Sequence, residues 1–163
     1  ELGGLLYHMK RMLMTGERVC EVYTNLNRDL VMTGVIIHDM EKIREIESNE
    51  LGISPGYSFE GRLLGHIVQG IKSIDRLTLE MEFPREKAIL LEHMILSHHG
   101  ELEYGSPKVP VTLEAMILHL ADYSDTKLKQ VDEAIREDRE QGNWTAYQRT
   151  LGRNLYKADG AKE

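Results

Sequence analysis

Residues 35–42 read VIIHDMEK, a histidine and an aspartate side by side directly behind three apolar residues. Taking a polar side chain out of water without a partner is costly, and for a carboxylate the cost is larger still. The run continues a helical pattern in which Leu30, Val31, Gly34, Val35, Ile37 and His38 share one face, predicting a helix over about Arg28 to Glu47. Adjacent helix positions are about 100° apart, so His38 and Asp39 can approach one ion from neighbouring directions. The two oxygens of a carboxylate also allow Asp39 to bridge two ions.

Helical periodicity extends to both sides of this stretch. Leu5, His8, Met9, Met12, Leu13 and Val19 recur mostly at three- and four-residue steps and predict a helix from Leu5 to Tyr23. Asn27 is placed to cap the helix that carries His38. ESNELGISPGYS (47–58) reads as a loop, after which Ser58 opens a third helix with Leu63, His66, Ile67, Ile71 and Ile74 on its face. Pro84 opens a fourth helix to about Ser97, and HHGELEYGSPKVP (98–110) is a second loop. Thr112, with Ala115 three positions on, begins a fifth helix through roughly Asp138. Beyond Gly142-Asn143 a short last helix, about Trp144 to Lys157, and a tail complete the segment 143–163. No period-two alternation competes, so the expected fold is all-α, a single helical bundle of five to six main helices over residues 1–163.

Composition narrows the possibilities. A chain of 163 residues with 41% hydrophobic content can bury a core, and with only two Phe and one Trp its eight Met are expected to fill much of it. A formal net charge of −7 opposes tight nucleic-acid binding by the surface as a whole. A nucleic-acid substrate would need a small positive pocket, bound metal ions or another domain. The one cysteine, Cys20, excludes an internal disulfide and suits a cytoplasmic location; beside Glu21 it makes an unattractive nucleophile. No stretch has the length of a membrane span, and no glycine-rich phosphate loop appears. ELGGLLYHMK lacks a start methionine and opens inside an element, so residues upstream are expected.

Seven histidines are present: His8, His38, His66, His93, His98, His99 and His119. Most occupy positions that the apolar pattern assigns to inner helix faces. A lone buried histidine is more often bonded to a carbonyl than to a metal, but several converging with aspartates are hard to explain as packing. Imidazole and carboxylate groups are the usual ligands of Zn, Fe, Mn, Co and related ions, and two such ions together are the usual equipment for phosphoester hydrolysis. His93 is about 140° around a regular helix from His98, which fits a packing role. His119, one turn before Asp122, is placed either to orient it or simply to pack.

The ordered set His8, His38-Asp39, His66, His98-His99 and Asp122, carried in GGLLYH, GVIIHDMEK, EGRLLGHI, HMILSHHGELEYGSPKVP and EAMILHLADYSDTK, resembles the HD-domain superfamily of metal-dependent phosphohydrolases. Within it, the chain is similar to the HD domain of the YhaM-type 3′-5′ exoribonucleases from residue 3 to about 130, with a weaker echo in GRNLYK near the C-terminus. The resemblance implies that His8, His38, Asp39 and Asp122 hold one divalent metal ion. It implies that His66, His98 and His99 serve a second, with Asp39 bridging. Mn is the foremost candidate, with Fe, Co, Ni, Zn or Mg as others. Lys42 matches the family's basic residue and would hold a substrate phosphate, beside the catalytic Asp39, or else is a solvated lysine on the helix surface. Asp125, a turn beyond Asp122, would position the attacking water or a ribose hydroxyl, or else pair with Lys129. Arg62 and Lys108 flank ligand segments and are candidates for neutralising substrate phosphate. Glu41 stands where the family commonly has glycine, and is expected either to face solvent or to narrow the site.

The activity so implied is phosphodiester hydrolysis at RNA 3′ ends. Alternatives are a nucleotide phosphomonoesterase, a cyclic-dinucleotide phosphodiesterase, and a metal-binding regulatory domain without catalysis. The expected partners are RNA or a nucleotide and an OB-fold domain N-terminal to residue 1, with no membrane and the oligomeric state open.

Overall fold

A computed structural model describes residues 3–49 and 54–158. Helix α1 (Gly4–Val22) turns Met12 and Gly16 inward, and α2 (Arg28–Ile37) turns Val31, Gly34 and Val35 inward. The Asn27 side-chain oxygen accepts from the Leu30 amide and caps α2 as its position predicts. A single turn, α3 (Lys42–Glu45), leads into β1 (Ile46–Glu47), which pairs antiparallel with β2 (Gly56–Tyr57). Ser58 caps α4 (Phe59–Glu80) by accepting from the Gly61 amide, and α5 (Arg85–Ser97) follows Pro84. One 3-10 turn, Leu102–Tyr104, interrupts the next loop before α6 (Leu113–Glu137), whose first turn is capped by Thr112. The all-α class is borne out, with one two-residue hairpin as ornament. Residues 50–53 of the expected loop, the start at residues 1–2 and the tail at 159–163 lie outside the described residues.

Contacts divide the chain into two compact units, Glu1–Asp122 and Tyr123–Glu163. In the first, Met12, Val35, Met94, Ala115, Leu118 and Ala121 form one buried cluster, and Ile67, Ile74, Leu91 and Ile95 another. Met12 and Met94 are fully buried, as the shortage of aromatics led us to expect, but Met14 faces solvent.

Three expectations are corrected. The helix predicted to run from Arg28 to Glu47 stops at Ile37. His38 Nδ1 lies 2.8 Å from the Val35 carbonyl oxygen, which a continuing helix would bond to the Asp39 amide. Three-residue bonds from Met40 to Ile37 and from Lys42 to Asp39 then carry the chain round a turn. On α4, Leu63 is exposed rather than inward, because Gly65, at φ 68° and ψ 165°, breaks the helical register before His66. The third correction falls in the second unit. Residues 144–157 form no helix but a loose antiparallel hairpin, with Trp144 opposite Tyr156 and Gln148 opposite Arg153. Its tether is Lys157, whose ammonium lies 2.7 Å from both Asp138 Oδ2 and the Glu140 carbonyl oxygen. A helix there would forgo that buried pair.

Candidate metal centre

The α2 terminus, the kink in α4, the end of α5, α1 and α6 all deliver polar side chains to Asp39. Helix α5 ends with the device that ends α2: His98 Nδ1 is 2.7 Å from the Ile95 carbonyl oxygen, three residues back. Both rings are thereby fixed with Nε2 aimed away from their own backbone. At the α4 kink the His66 amide, released from the helical ladder, donates to Glu45 Oε1 at 3.1 Å, and His66 Nδ1 meets Glu45 Oε2 at 3.0 Å. A carboxylate on one ring nitrogen orients the ring and raises the basicity of the other.

Asp39 is 2% exposed and its two oxygens face different groups. Oδ2 is 3.4 Å from His38 Nε2 and 3.9 Å from His8 Nε2; Oδ1 is 3.4 Å from His66 Nε2 and 3.6 Å from His98 Nε2. Asp122 Oδ1 is 3.3 Å from His8 Nε2. The His98 and His99 rings are 4.3 Å apart, and His66 lies 5.5 Å from each. Two sets of donor atoms result, each within 4.8 Å of one another: His8, His38 and Asp39, and His66, His98 and His99. His38 Nε2, His66 Nε2, His98 Nε2, His99 Nδ1 and Asp39 Oδ1 are buried, and among the described residues none has a hydrogen-bond partner. Orphaned atoms of this kind, gathered on both sides of one carboxylate with His8 and Asp122 beside them, are the partners a divalent cation needs, so the residues present fit the group.

The electrostatics agree. Burial by itself lifts the Asp39 carboxyl, but the imidazoles of His38 and His98 and the Lys42 ammonium outweigh it and hold the group well below the usual carboxylate range. Burial likewise lifts Asp122, but the His8 ring together with the charges of His38 and His98 outweighs it and lowers the group. Burial, aided by the charges of His98 and His66, pushes His99 down to about 4, and burial also lowers His66. Neutral imidazole is the metal-binding form. Cys20 is pushed up by burial and by Glu17, in keeping with its dismissal as a nucleophile.

Between pH 6.5 and about 4, an unfolded His99 binds a proton that the folded one refuses, so stability is lost as pH falls through this window. His66, shifted the same way, adds to the loss, while the lowered Asp39 and Asp122 remove stability only at more acidic pH. Melting curves in EDTA should therefore show Tm falling by several degrees from pH 7.5 to pH 5. A flat or rising Tm would contradict these burial assignments.

The remaining sequence candidates divide. Lys42 joins the cluster, its ammonium 2.6 Å from Asp39 Oδ2 and its side chain 33% exposed. Arg62, in the first turn of α4, and Lys108, on the α5–α6 loop, are exposed. Asp125 belongs to the second unit. His93 Nε2 accepts from the Val111 amide at 3.0 Å, a packing role, and His119 Nδ1 meets the His98 carbonyl oxygen at 3.0 Å. Glu41 neither faces solvent nor lines the cluster. It is buried, with Oε1 accepting from Ser73 Oγ at 2.8 Å and Oε2 3.6 Å from Arg44 Nε. Glu41 and Glu45 both bind the α3 turn to α4; sequence reading noticed Glu41 without this role and missed Glu45. In EKIREIE (41–47) they resemble a solvated charge run, and only the partners on α4 distinguish them.

Comparison with known proteins gives the same direction. The HD domain family matches residues 5–127. The 3'-5' exoribonuclease YhaM of Shouchella clausii is 42% identical over 134 residues, which are 82% of this chain and 41% of that protein. Its Bacillus subtilis namesake is 40% identical over 82% of this chain and 42% of its own. That of Geobacillus sp. is 40% identical over 83% and 41%. The chain thus spans about two-fifths of the length of the curated relatives it matches. No solved structure matches.

Proposed function

This chain belongs to the HD domain family, and on that premise we propose that it is the hydrolytic part of a divalent-metal-dependent phosphodiesterase that shortens RNA from its 3′ end. The observation that carries the proposal is Asp39: its Oδ1 faces the orphaned His66 and His98 nitrogens, and its Oδ2 faces the orphaned His38 nitrogen with His8 alongside. The relatives are 3'-5' exoribonucleases, and they supply the substrate class.

His8, His38, Asp39 and Asp122 are proposed to hold one ion, and His66, His98 and His99 a second that shares Asp39. Mn is the foremost candidate. Such ions supply Lewis-acid chemistry, polarising a phosphoryl oxygen and lowering the pKa of water. The chain's own groups do the positioning. The Val35 and Ile95 carbonyls fix the His38 and His98 rings, and Glu45 fixes His66, so that three imidazole nitrogens are preset before a ligand arrives. Lys42 reaches both Asp39 and solvent, which suits it to meet a phosphate oxygen of the substrate. Arg62 and Lys108 are proposed to help from outside. Hydrolysis adds the oxygen of water to phosphorus, breaks the bond to the 3′ oxygen of the preceding nucleotide, and passes a water proton to that leaving oxygen.

The test is incubation of the purified chain with Mn²⁺ and 5′-end-labelled single-stranded RNA. A ladder shortening from the 3′ end, with nucleoside 5′-monophosphates released, is expected. Intact RNA alongside cleavage of mononucleotides or cyclic dinucleotides would overturn the RNA reading. No hydrolysis of any of these would leave a metal-binding domain without catalysis.

Glu45→Ala separates positioning from packing. Losing the carboxylate that orients His66 should weaken binding of the second ion by about 10–100-fold. Titration of Mn²⁺ against activity checks this, with the metal requirement rising and maximal rate recovering at high Mn²⁺. An unchanged titration would rule out the orienting role.

A further inference from the structure

The C-terminal hairpin concentrates what the rest of an acidic chain lacks. Residues 138–157 contain four basic side chains, Arg139, Arg149, Arg153 and Lys157, against two acidic, Asp138 and Glu140, in a chain of formal net charge −7. Lys157 is committed to Asp138 and buried. The three arginines are exposed, and among the described residues none is in an ion pair. Interleaved with them are three exposed aromatics, Trp144 at 59%, Tyr147 at 60% and Tyr156 at 53%. Trp144 and Tyr156 face each other across the hairpin as an edge-to-face pair, ring centroids 5.3 Å apart, which leaves ring surface open on both. Nothing in a small unit of this kind obliges three large aromatics to stand in water.

The platform is built rather than frayed. Asp138 Oδ1 accepts from the Ala146 amide at 3.0 Å and Oδ2 from Lys157 at 2.7 Å, while Thr145, buried, accepts from the Leu155 amide at 3.0 Å. Arg153 is braced by its Nε, which donates to the Leu151 carbonyl at 2.9 Å. Bases stack on aromatic rings whatever their sequence, and guanidinium groups answer the phosphates between them. We propose that the Trp144–Lys157 hairpin, with Arg139, is a binding platform for single-stranded RNA, in which Trp144, Tyr147 and Tyr156 stack on bases and Arg139, Arg149 and Arg153 contact the backbone. Unpaired strands fit better than duplex, whose bases are already stacked. The inference rests on the RNA reading above and extends it to how an acidic chain grips a polyanion.

Trp144 is the chain's one tryptophan, so its fluorescence reports on the platform directly. The experiment titrates a 12-nucleotide oligoadenylate into the full chain in EDTA and follows this emission. Quenching that saturates is expected. The double variant Arg149→Ala/Arg153→Ala alters only exposed side chains. It should bind at least tenfold more weakly and flatten the salt dependence by roughly 0.7 per lost phosphate contact in log–log slope. Tyr156→Ala should weaken binding by a similar factor with little change in slope. A parallel arm measures degradation of the same oligonucleotide with Mn²⁺. Degradation by the parent chain, with no quenching and unchanged KM in both variants, would sink the platform and leave the RNA reading standing. Failure of the parent to degrade RNA would sink that reading, and the fluorescence arm would still decide the platform. Emission that shifts with protein concentration in the absence of RNA would instead mark a surface for protein association and overturn the proposal.

Discussion

Asp39→Asn is expected to remove both metal ions and to lower hydrolysis by about a thousandfold or more, on the scale of several kcal/mol that such ions supply to a transition state. The shared carboxylate is the reason. Asp39 Oδ1 faces His66 and His98, and Oδ2 faces His8 and His38. Asparagine keeps the volume but offers one neutral carbonyl oxygen and an amide that cannot ligate, so one set of imidazoles loses its anionic partner and the bridge is gone. The fold is expected to survive, because the change is isosteric and Lys42, being part exposed, can turn to solvent. Metal analysis after dialysis, circular dichroism and RNA hydrolysis are the three measurements. Activity within tenfold of the parent, or two ions retained, would contradict the bridging role.

Gly61→Ala should destabilise the protein by about 3 kcal/mol, the upper end of ordinary overpacking, which for a chain of this size lowers Tm by roughly 6–12 °C. A Cβ on Gly61 would collide with the Glu45 carbonyl oxygen and press on the Glu45 carbonyl carbon and Cα. The obstacle is backbone, so no rotamer change relieves it; α3 and the start of α4 must separate. The separation strains the bond from the Ser58 amide to that same Glu45 carbonyl oxygen and displaces the Glu45 carboxylate that orients His66. The variant is therefore expected to lose Mn²⁺ affinity together with stability. Thermal melts and Mn²⁺ titration check both, and a Tm within about 2 °C of the parent would show that the approach of α3 to α4 is looser than the structure has it.

Much of the centre was legible because it breaks a pattern. His38, His66 and His98 occupy positions where the helical period calls for apolar residues, and Asp39 adds a carboxylate beside a buried run. Their order along the chain pointed to the rest of the proposed ligand set. What could not be read was where the period stops being obeyed. The alternation through Ile37 continues smoothly past His38, and the break comes from a ring nitrogen occupying a carbonyl, which leaves no trace in hydrophobicity. The inward turn of Glu41 and Glu45 depends on Ser73 and His66, 32 and 21 residues away. The missing last helix has a similar cause. Gln148, Arg149 and Leu151 suit a helix locally, but the ion pair of Asp138 with Lys157, 19 residues apart, favours a hairpin.

The central claim is that one buried aspartate organises two metal positions, and metal stoichiometry tests it most directly. The chain is loaded with Mn²⁺, dialysed and assayed by inductively coupled plasma mass spectrometry against protein concentration. Two ions per chain in the parent, falling below one in Asp39→Asn, is the predicted result. One ion or none per parent chain, or a variant that still holds two, would contradict it.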